Sequence, residues 1–388
     1  MALQVQQVEP ACVAHQPRLQ RVERVVAAQE AVDVVHPILA VEQGQLVPRR
    51  AVDHHRVLAH GRHPGRIRAV RAELTDLGGG VVRVTLPLPW ALDHVHCYAV
   101  EDPAGWTIID CGLGSRSTLE WWDEALEQLG RPEVRRIVLT HYHPDHLGAS
   151  AGLAELTAAG EVVQGTLDAR LTRLAWGEDA DEDAFTRYLE HHGMPPAMAA
   201  RSTEAEAATP VHPAAPTLLV DEGDQLDMQG ERFTVLVLPG HADGHIALFG
   251  EDSGRLFSAD VLLEEITPNV GRWPDTHRDP LGAYLHSLGR IDGLAATTVF
   301  PGHGPVIGDP ARRTGEIRAH HAERLDVHQQ ALRDGARSAH EVAGIVWAAD
   351  GLGFHEQRFA LVEAISHLER LEALGRARQE QPARWSPR

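Results

Sequence analysis

Within Thr140-His141-Tyr142-His143-Pro144-Asp145-His146, four side chains able to bind a metal fall within six residues. Neutral imidazoles and carboxylates suit zinc and accept iron or manganese, and no thiolate is present in the set to demand a softer metal. The run Ile137 to Thr140 has the β-branched, apolar character of a buried strand, and Pro144 cannot continue a ladder, so the ligand types belong on the loop after that strand. Chance alone explains such a string poorly, but in a chain with 25 histidines the rest of the constellation has to be found, and its grammar recurs. His241-Ala242-Asp243-Gly244-His245 follows the apolar run from Phe233 to Leu238, Asp260 follows Arg255 to Phe257, and His303 follows Thr297 to Phe300. Each time a short strand delivers a ligand type at its end.

In this order the segments resemble the metallo-β-lactamase superfamily of hydrolases, and within it the glyoxalase II-like, lactamase-β-like branch. The resemblance implies two divalent ions, zinc first, with iron or manganese open. His141, His143 and His241 would bind the first ion, and Asp145, His146 and His303 the second, with Asp260 bridging both. A hydroxide held between the ions would attack the substrate. Asp145 would add a catalytic role, orienting that hydroxide and passing its proton to the leaving group. Asp110, in Ile108-Ile109-Asp110-Cys111-Gly112, would orient the ligand loop by hydrogen bonds, and His245 would support the ligands from behind. Ala242 stands where the family has Thr or Ser, and Ala259 where Gly is common, departures that bear on the surroundings of the ligands and not on the ligands. A structural zinc site is closed by four ligands, often cysteines, and seven candidates over four segments exceed that need.

Other candidates read as structural. His94-Val95-His96 lies in an alternating stretch that places both rings on one sheet face, as part of a strand and not as ligands. His191-His192 and His320-His321 fall on charged helical segments and read as solvated. Cys97 and Cys111 read as small packing residues.

The chain has 388 residues, 43% of them hydrophobic, enough for more than one core. Three cysteines make no disulfide framework, no apolar run reaches the roughly 18 residues of a membrane span, and the first 20 residues lack a secretory signal, so a cytoplasmic enzyme is expected. All 36 basic residues are Arg, the mark of a GC-rich bacterial genome. Residues 1–70 carry no superfamily motif and no sustained period beyond a possible helix from Leu19 to Ala40. They read as a disordered or mis-assigned N-terminal extension.

A catalytic domain is expected over 73–310. Gly80 to Leu86 alternates as a half-buried strand, Tyr98 to Val100 and Trp106 to Ile109 give two more, and Leu119, Trp122, Ala125 and Leu129 mark a helix. The resemblance implies an α+β fold, an αββα sandwich of antiparallel sheets, followed by a small helical, winged-helix-like C-terminal domain over 312–388. A helical cap insertion is expected over 165–216 with two helices. Trp176 and Tyr188 on this cap, with Trp273, His277 and Arg278 ahead of Asp279-Pro280, are the candidate substrate-binding residues. Past Pro310 the spacing predicts three amphipathic helices, with Ser338 and Glu341 as a capping box and Gly375 as a C-cap.

These residues favour hydrolysis of a small thioester, ester or lactone by a metal-dependent enzyme. An endoribonuclease acting on single-stranded RNA is the alternative, and a metal-bound winged-helix module without catalysis is a third reading. Charge weighs against nucleic acid as a partner: the chain carries −19, and the first 70 residues are net basic, so the remainder is more acidic still. A small-molecule substrate and no membrane are expected.

Overall fold

The computed structural model describes residues 39–42, 45–48 and 71–388, except 178, 334, 336, 348–351, 353 and 382. They fall in two units, divided between Ile67 and Arg68. In the first, β1 (Leu39–Glu42) pairs antiparallel with β2 (Gln45–Pro48). Leu39 and Ala40, the end of the expected helix, are strand. The rest of that helix and of the expected extension lies outside the described residues.

In the second unit β3 (Glu73–Asp76) is the edge of a sheet that continues through β4 (Val81–Pro87), β5 (His94–Val100), β6 (Trp106–Ile109), β7 (Val134–Leu139), β8 (Glu161–Gly165) and β9 (Leu218–Val220). A second sheet runs β10 (Gln225–Met228), β11 (Glu231–Val237), β12 (Ile246–Gly250), β13 (Arg255–Ala259) and β14 (Thr298–Pro301). Both sheets are mixed, not antiparallel as expected. The β6–β7, β7–β8, β8–β9 and β13–β14 pairs are parallel. Parallel neighbours need crossovers, and helices supply them.

Between β6 and β7 the crossover is α1 (Arg116–Gln128), capped by Ser115, whose Trp122 is fully buried and donates its indole N–H to the Cys111 carbonyl at 2.8 Å. After β7 come α2 (Pro144–Leu147) and α3 (Ser150–Thr157). Over 165–216 the described residues form three helices and not the expected two: α4 (Thr166–Trp176), α5 (Glu182–His191) and α6 (Pro196–Ala207). The first begins directly after β8, so its start is hidden against the strand. Helix α7 (Pro280–Asp292), capped by Asp279, joins β13 to β14.

The sheets face each other through Val81, Tyr98, Val100, Ile109, Val138 and Val163 on one side and Phe233, Val235, Leu248, Phe257 and Phe300 on the other. Phe257 stacks on Phe300 at 4.8 Å, and burying each such ring contributes roughly 1.5–3 kcal/mol. Trp122, Leu126 and Leu153 cover the outer face of the first sheet. Tyr284 and Leu288 of α7 share a core with the outer face of the second.

That last core continues into α8 (Pro310–Ala331), α9 (Ala339–Trp347) and α10 (Phe354–Ala373). The three helices and the capping box appear as the spacing predicts: the Glu341 amide donates to Ser338 Oγ at 3.1 Å, and the Ser338 amide to Glu341 Oε2 at 2.7 Å. Gly375 ends α10 at φ +69°. A hairpin follows, β15 (Ala377–Gln381) with β16 (Arg384–Pro387), and Arg337 bridges to the buried Trp385. Its polar sequence, Ala-Arg-Gln-Glu-Gln, offers no apolar alternation to announce a strand. Among the described residues no helix is long and apolar enough to cross a membrane.

Two histidine expectations are corrected here. His192 and His321 are buried, because they turn to the inner side of the helical layer, while His191 is exposed. Burial pushes His192 down to about 4 and His321 to about 2. Cys97 and Cys111 are buried free thiols.

Candidate metal centre

Each candidate ligand segment follows the last residues of a strand, and both sheets deliver theirs to the same end of the sandwich. The ligand atoms of His141, His143 and His241 lie within 4.8 Å of one another, as do those of Asp145, His146 and His303, and those of His141, His146 and Asp260.

In the first group His143 Nδ1 is 3.1 Å from His141 Nε2 and 2.8 Å from His241 Nε2. The far nitrogens determine what these atoms carry. His241 Nδ1 faces the Asn269 carbonyl at 2.8 Å, which only accepts, so Nδ1 holds the proton and Nε2 is bare. Thr140 donates its hydroxyl to Asp110 Oδ2 at 2.8 Å and therefore accepts from His141 Nδ1–H at 3.0 Å, leaving His141 Nε2 bare as well. Lone pairs aimed at one another suit a cation between them. Burial, then His241, pushes His143 down to about 3, which keeps it neutral.

In the second group His146 Nδ1–H donates to Asp110 Oδ2 at 2.8 Å, and His303 Nδ1–H to the His94 carbonyl at 2.7 Å. The buried Nε2 atoms of both have no hydrogen-bond partner among the described residues. His303 Nε2 is 3.4 Å from Asp145 Oδ2 and 3.4 Å from Asp260 Oδ2, and His146 Nε2 is 3.5 Å from Asp260 Oδ1. Two donors each about 2.1 Å from one tetrahedral ion are themselves about 3.4 Å apart, so these separations fit a shared metal. Asp260 Oδ2 is also 3.5 Å from His241 Nε2, so one carboxylate touches both groups. Burial alone would lower His303, but Asp260 and Asp145 push it up to about 10, which shows how strongly the carboxylates call for positive charge. Gly302 leaves the space: a Cβ there would lie 2.3 Å from Asp260 Oδ1. The residues therefore fit divalent ions.

Asp110 is the common support. It accepts the Thr140 amide at 2.9 Å, the Thr140 hydroxyl and the His146 imidazole, and so fixes a tautomer in each group. His245 is buried and stacks on His141 at 4.5 Å with an interplanar angle of 20°. Supports that the sequence did not disclose include Asp168 on α4, which accepts the Tyr142 amide at 3.0 Å and which burial pushes up to about 8. Asn269 acts through its carbonyl, and a carbonyl leaves no mark in residue type. Asp168 is a lone acid in the first turn of a helix, where dipole stabilisation is the ordinary reading.

None of the candidate substrate-binding residues bonds to a candidate ligand side chain among the described residues. Trp176 donates its indole N–H to the Tyr142 carbonyl at 2.7 Å. Tyr188 donates its hydroxyl to the Arg272 carbonyl at 2.6 Å. Trp273 sits 6.0 Å from the Phe185 ring, His277 lies 3.0 Å from Asp243 and is largely exposed, and Arg278 pairs with Glu369 and Glu372.

An αββα sandwich with this histidine and carboxylate set at one end defines a metal-binding hydrolase architecture. Residues 90–303 match the metallo-beta-lactamase superfamily, and the chain belongs to that family. A probable metallo-hydrolase of Bacillus subtilis (strain 168) is 31% identical over 240 residues, covering 58% of this chain and 72% of its own. An acyl-coenzyme A thioesterase of Homo sapiens is 26% identical over 244 residues, covering 60% and 81%. The crystal structure of a metallo-beta-lactamase family protein from Thermus thermophilus superposes with a TM-score of 0.72 at 32% identity, over 81% of this chain and 100% of that one. The chain is a metal-dependent hydrolase.

Proposed function

We propose that this hydrolase cleaves a small thioester, ester or lactone at a centre of two divalent ions, zinc foremost. The observation that carries the reading is the convergence of two ligand groups on one shared carboxylate, Asp260. His141, His143 and His241 would hold one ion, and Asp145, His146 and His303 the other. When bound, the pair supplies a water nucleophile of lowered pKa and polarises the oxygen of the bond to be cleaved.

The protein's own part is positioning and proton handling. Asp145 is buried to all but 8%, and His146 and His303 outweigh burial to keep it an ionised acceptor. It can take the proton of the attacking water and return it to the leaving group. For the walls we assign Trp176, Tyr188, Trp273, His277 and Arg278. Their places on the cap and on the segment following Asn269, whose carbonyl holds His241, support this. The thioesterase among the relatives supports an acyl thioester first. The acidic balance of the chain favours a small molecule over RNA.

The test is metal analysis of the purified chain followed by one screen of acyl-coenzyme A, S-D-lactoylglutathione, lactones and single-stranded RNA. About two ions per chain and thioester or lactone turnover that disappears in His143→Ala are expected. RNA cleavage lost in the same variant would replace this reading with a nuclease.

A further inference from the structure

The stretch His94-Val95-His96-Cys97-Tyr98 opens β5, and alternation places His94, His96 and Tyr98 on one face. All three reach the same four residues, Pro301 to Gly304, which carry His303. Tyr98 donates its hydroxyl to the Pro301 carbonyl at 2.6 Å, and the His96 amide donates to the Gly302 carbonyl at 2.7 Å. The His94 carbonyl accepts His303 Nδ1–H at 2.7 Å.

The two imidazoles then bracket a single residue. The Gly304 amide donates to His94 Nε2 at 3.2 Å, while the Gly304 carbonyl accepts from His96 Nε2–H at 2.9 Å. These contacts require opposite tautomers, and each is fixed from behind. His94 Nδ1–H donates to Asp93 Oδ1 at 2.6 Å. Thr85, directly across from His96 on β4, donates its hydroxyl to His96 Nδ1 at 3.0 Å. His96 is buried, and burial with Arg83 nearby pushes it down to about 3, so it stays neutral. Gly304 has φ +76°, in the left-handed region that glycine takes without strain, and both of its peptide groups are paired here.

We propose that His94 and His96 are positioning residues for His303: by bracketing Gly304 they aim His303 Nε2 at Asp145 and Asp260 and set the affinity of the second metal group. The inference rests on the two-ion reading above. Hydrogen-bond partners standing behind metal ligands change affinity by about 10–100-fold when removed, and here the partner acts through the loop carrying the ligand.

The test uses the full chain and its variants His96→Leu, His96→Gln, Thr85→Val and His303→Ala. Zinc affinity is measured by chelator competition, and amide exchange is followed at Gly302 to Gly304. In His96→Leu the weaker zinc should bind about 10–100-fold less tightly with the tighter zinc unchanged, and the Gly304 amide should exchange faster. His96→Gln, whose side-chain N–H can still reach the Gly304 carbonyl, should recover most of both. Thr85→Val, which removes only the hydroxyl behind His96, should show a few-fold effect in the same direction, and it decides the matter if His96→Leu does not fold. Wild-type zinc affinity together with unchanged exchange in the folded variants overturns the proposal. If wild type and His303→Ala bind equal amounts of zinc, the two-ion reading fails by itself. Exchange then decides the bracket: faster at Gly302 to Gly304 in His96→Leu and restored in His96→Gln upholds it, and no change overturns it.

Discussion

Trp176 donates its indole N–H to the carbonyl of Tyr142 at 2.7 Å, and on the other side of the same residue Asp168 accepts the Tyr142 amide at 3.0 Å. Helix α4 thus grips the backbone between His141 and His143 from both ends of one residue. Trp176→Phe keeps an aromatic ring but leaves the Tyr142 carbonyl without its donor, at a cost of about 1–3 kcal/mol. Urea unfolding should register that loss, and the isolated protein should retain less divalent metal. Unchanged stability and unchanged metal content would show that α4 does not hold the loop that carries His141 and His143.

Asp110 accepts hydrogen bonds from the Thr140 hydroxyl and the His146 imidazole through one oxygen, Oδ2. In Asp110→Asn either that oxygen becomes an NH2 group facing two donors or the Thr140 amide loses its acceptor. Zinc affinity should fall by about 10–100-fold by chelator competition. An unaltered affinity would remove Asp110 from its supporting role.

How much of this was legible depends on how each residue acts. His141, His143, Asp145, His146, His241, Asp260 and His303 could be picked out as candidate ligands because side-chain type is what a metal selects, and each comes just past an apolar run; the structure brings their ligand atoms together in groups that could hold a metal. Asp110 was visible only by resemblance. The expected antiparallel sheets failed for a different reason: Trp106 to Ile109 and Ile137 to Leu139 look the same whether parallel or antiparallel, and only the crossover α1 decides. Helix α4 was hidden by its junction with β8, and the β15–β16 hairpin by its polar sequence. His94 and His96 were seen but not understood, because their partners sit on a loop two hundred residues further on.

Ala259, where the family favours glycine, has φ +39°, directly before Asp260. A left-handed L-residue costs roughly 1–2 kcal/mol, which offsets the methyl burial and chain entropy that glycine forfeits. Ala259→Gly should therefore stay within about 0.5 kcal/mol of wild type in thermal unfolding. Ala247→Gly, at a buried position in the regular strand β12, should cost about 1 kcal/mol or more. Equal losses at the two positions would show that Ala259 carries no backbone strain.

His321 and His328 are fully buried on α8, where burial pushes them to about 2 and about 3 from an ordinary 6.5. His367 stacks on His328 at 4.3 Å, and Arg324 lies one turn away on the same helix. Below pH 6.5 the unfolded chain protonates these rings while the folded chain does not, so the unfolded state binds more protons and stability falls on acidification. The contribution is fully present above 6.5 and is lost as the pH drops towards the folded values, by about 1.4 kcal/mol per ring at pH 5.5. His328→Leu removes one ring from this balance without adding an unpaired polar group. Urea unfolding at pH 7.5 and 5.5 should therefore show a loss smaller by about 1.4 kcal/mol in the variant than in wild type. Identical losses in the two proteins would mean that His328 titrates normally in the folded state, and so that water reaches the helical layer where the structure buries this ring.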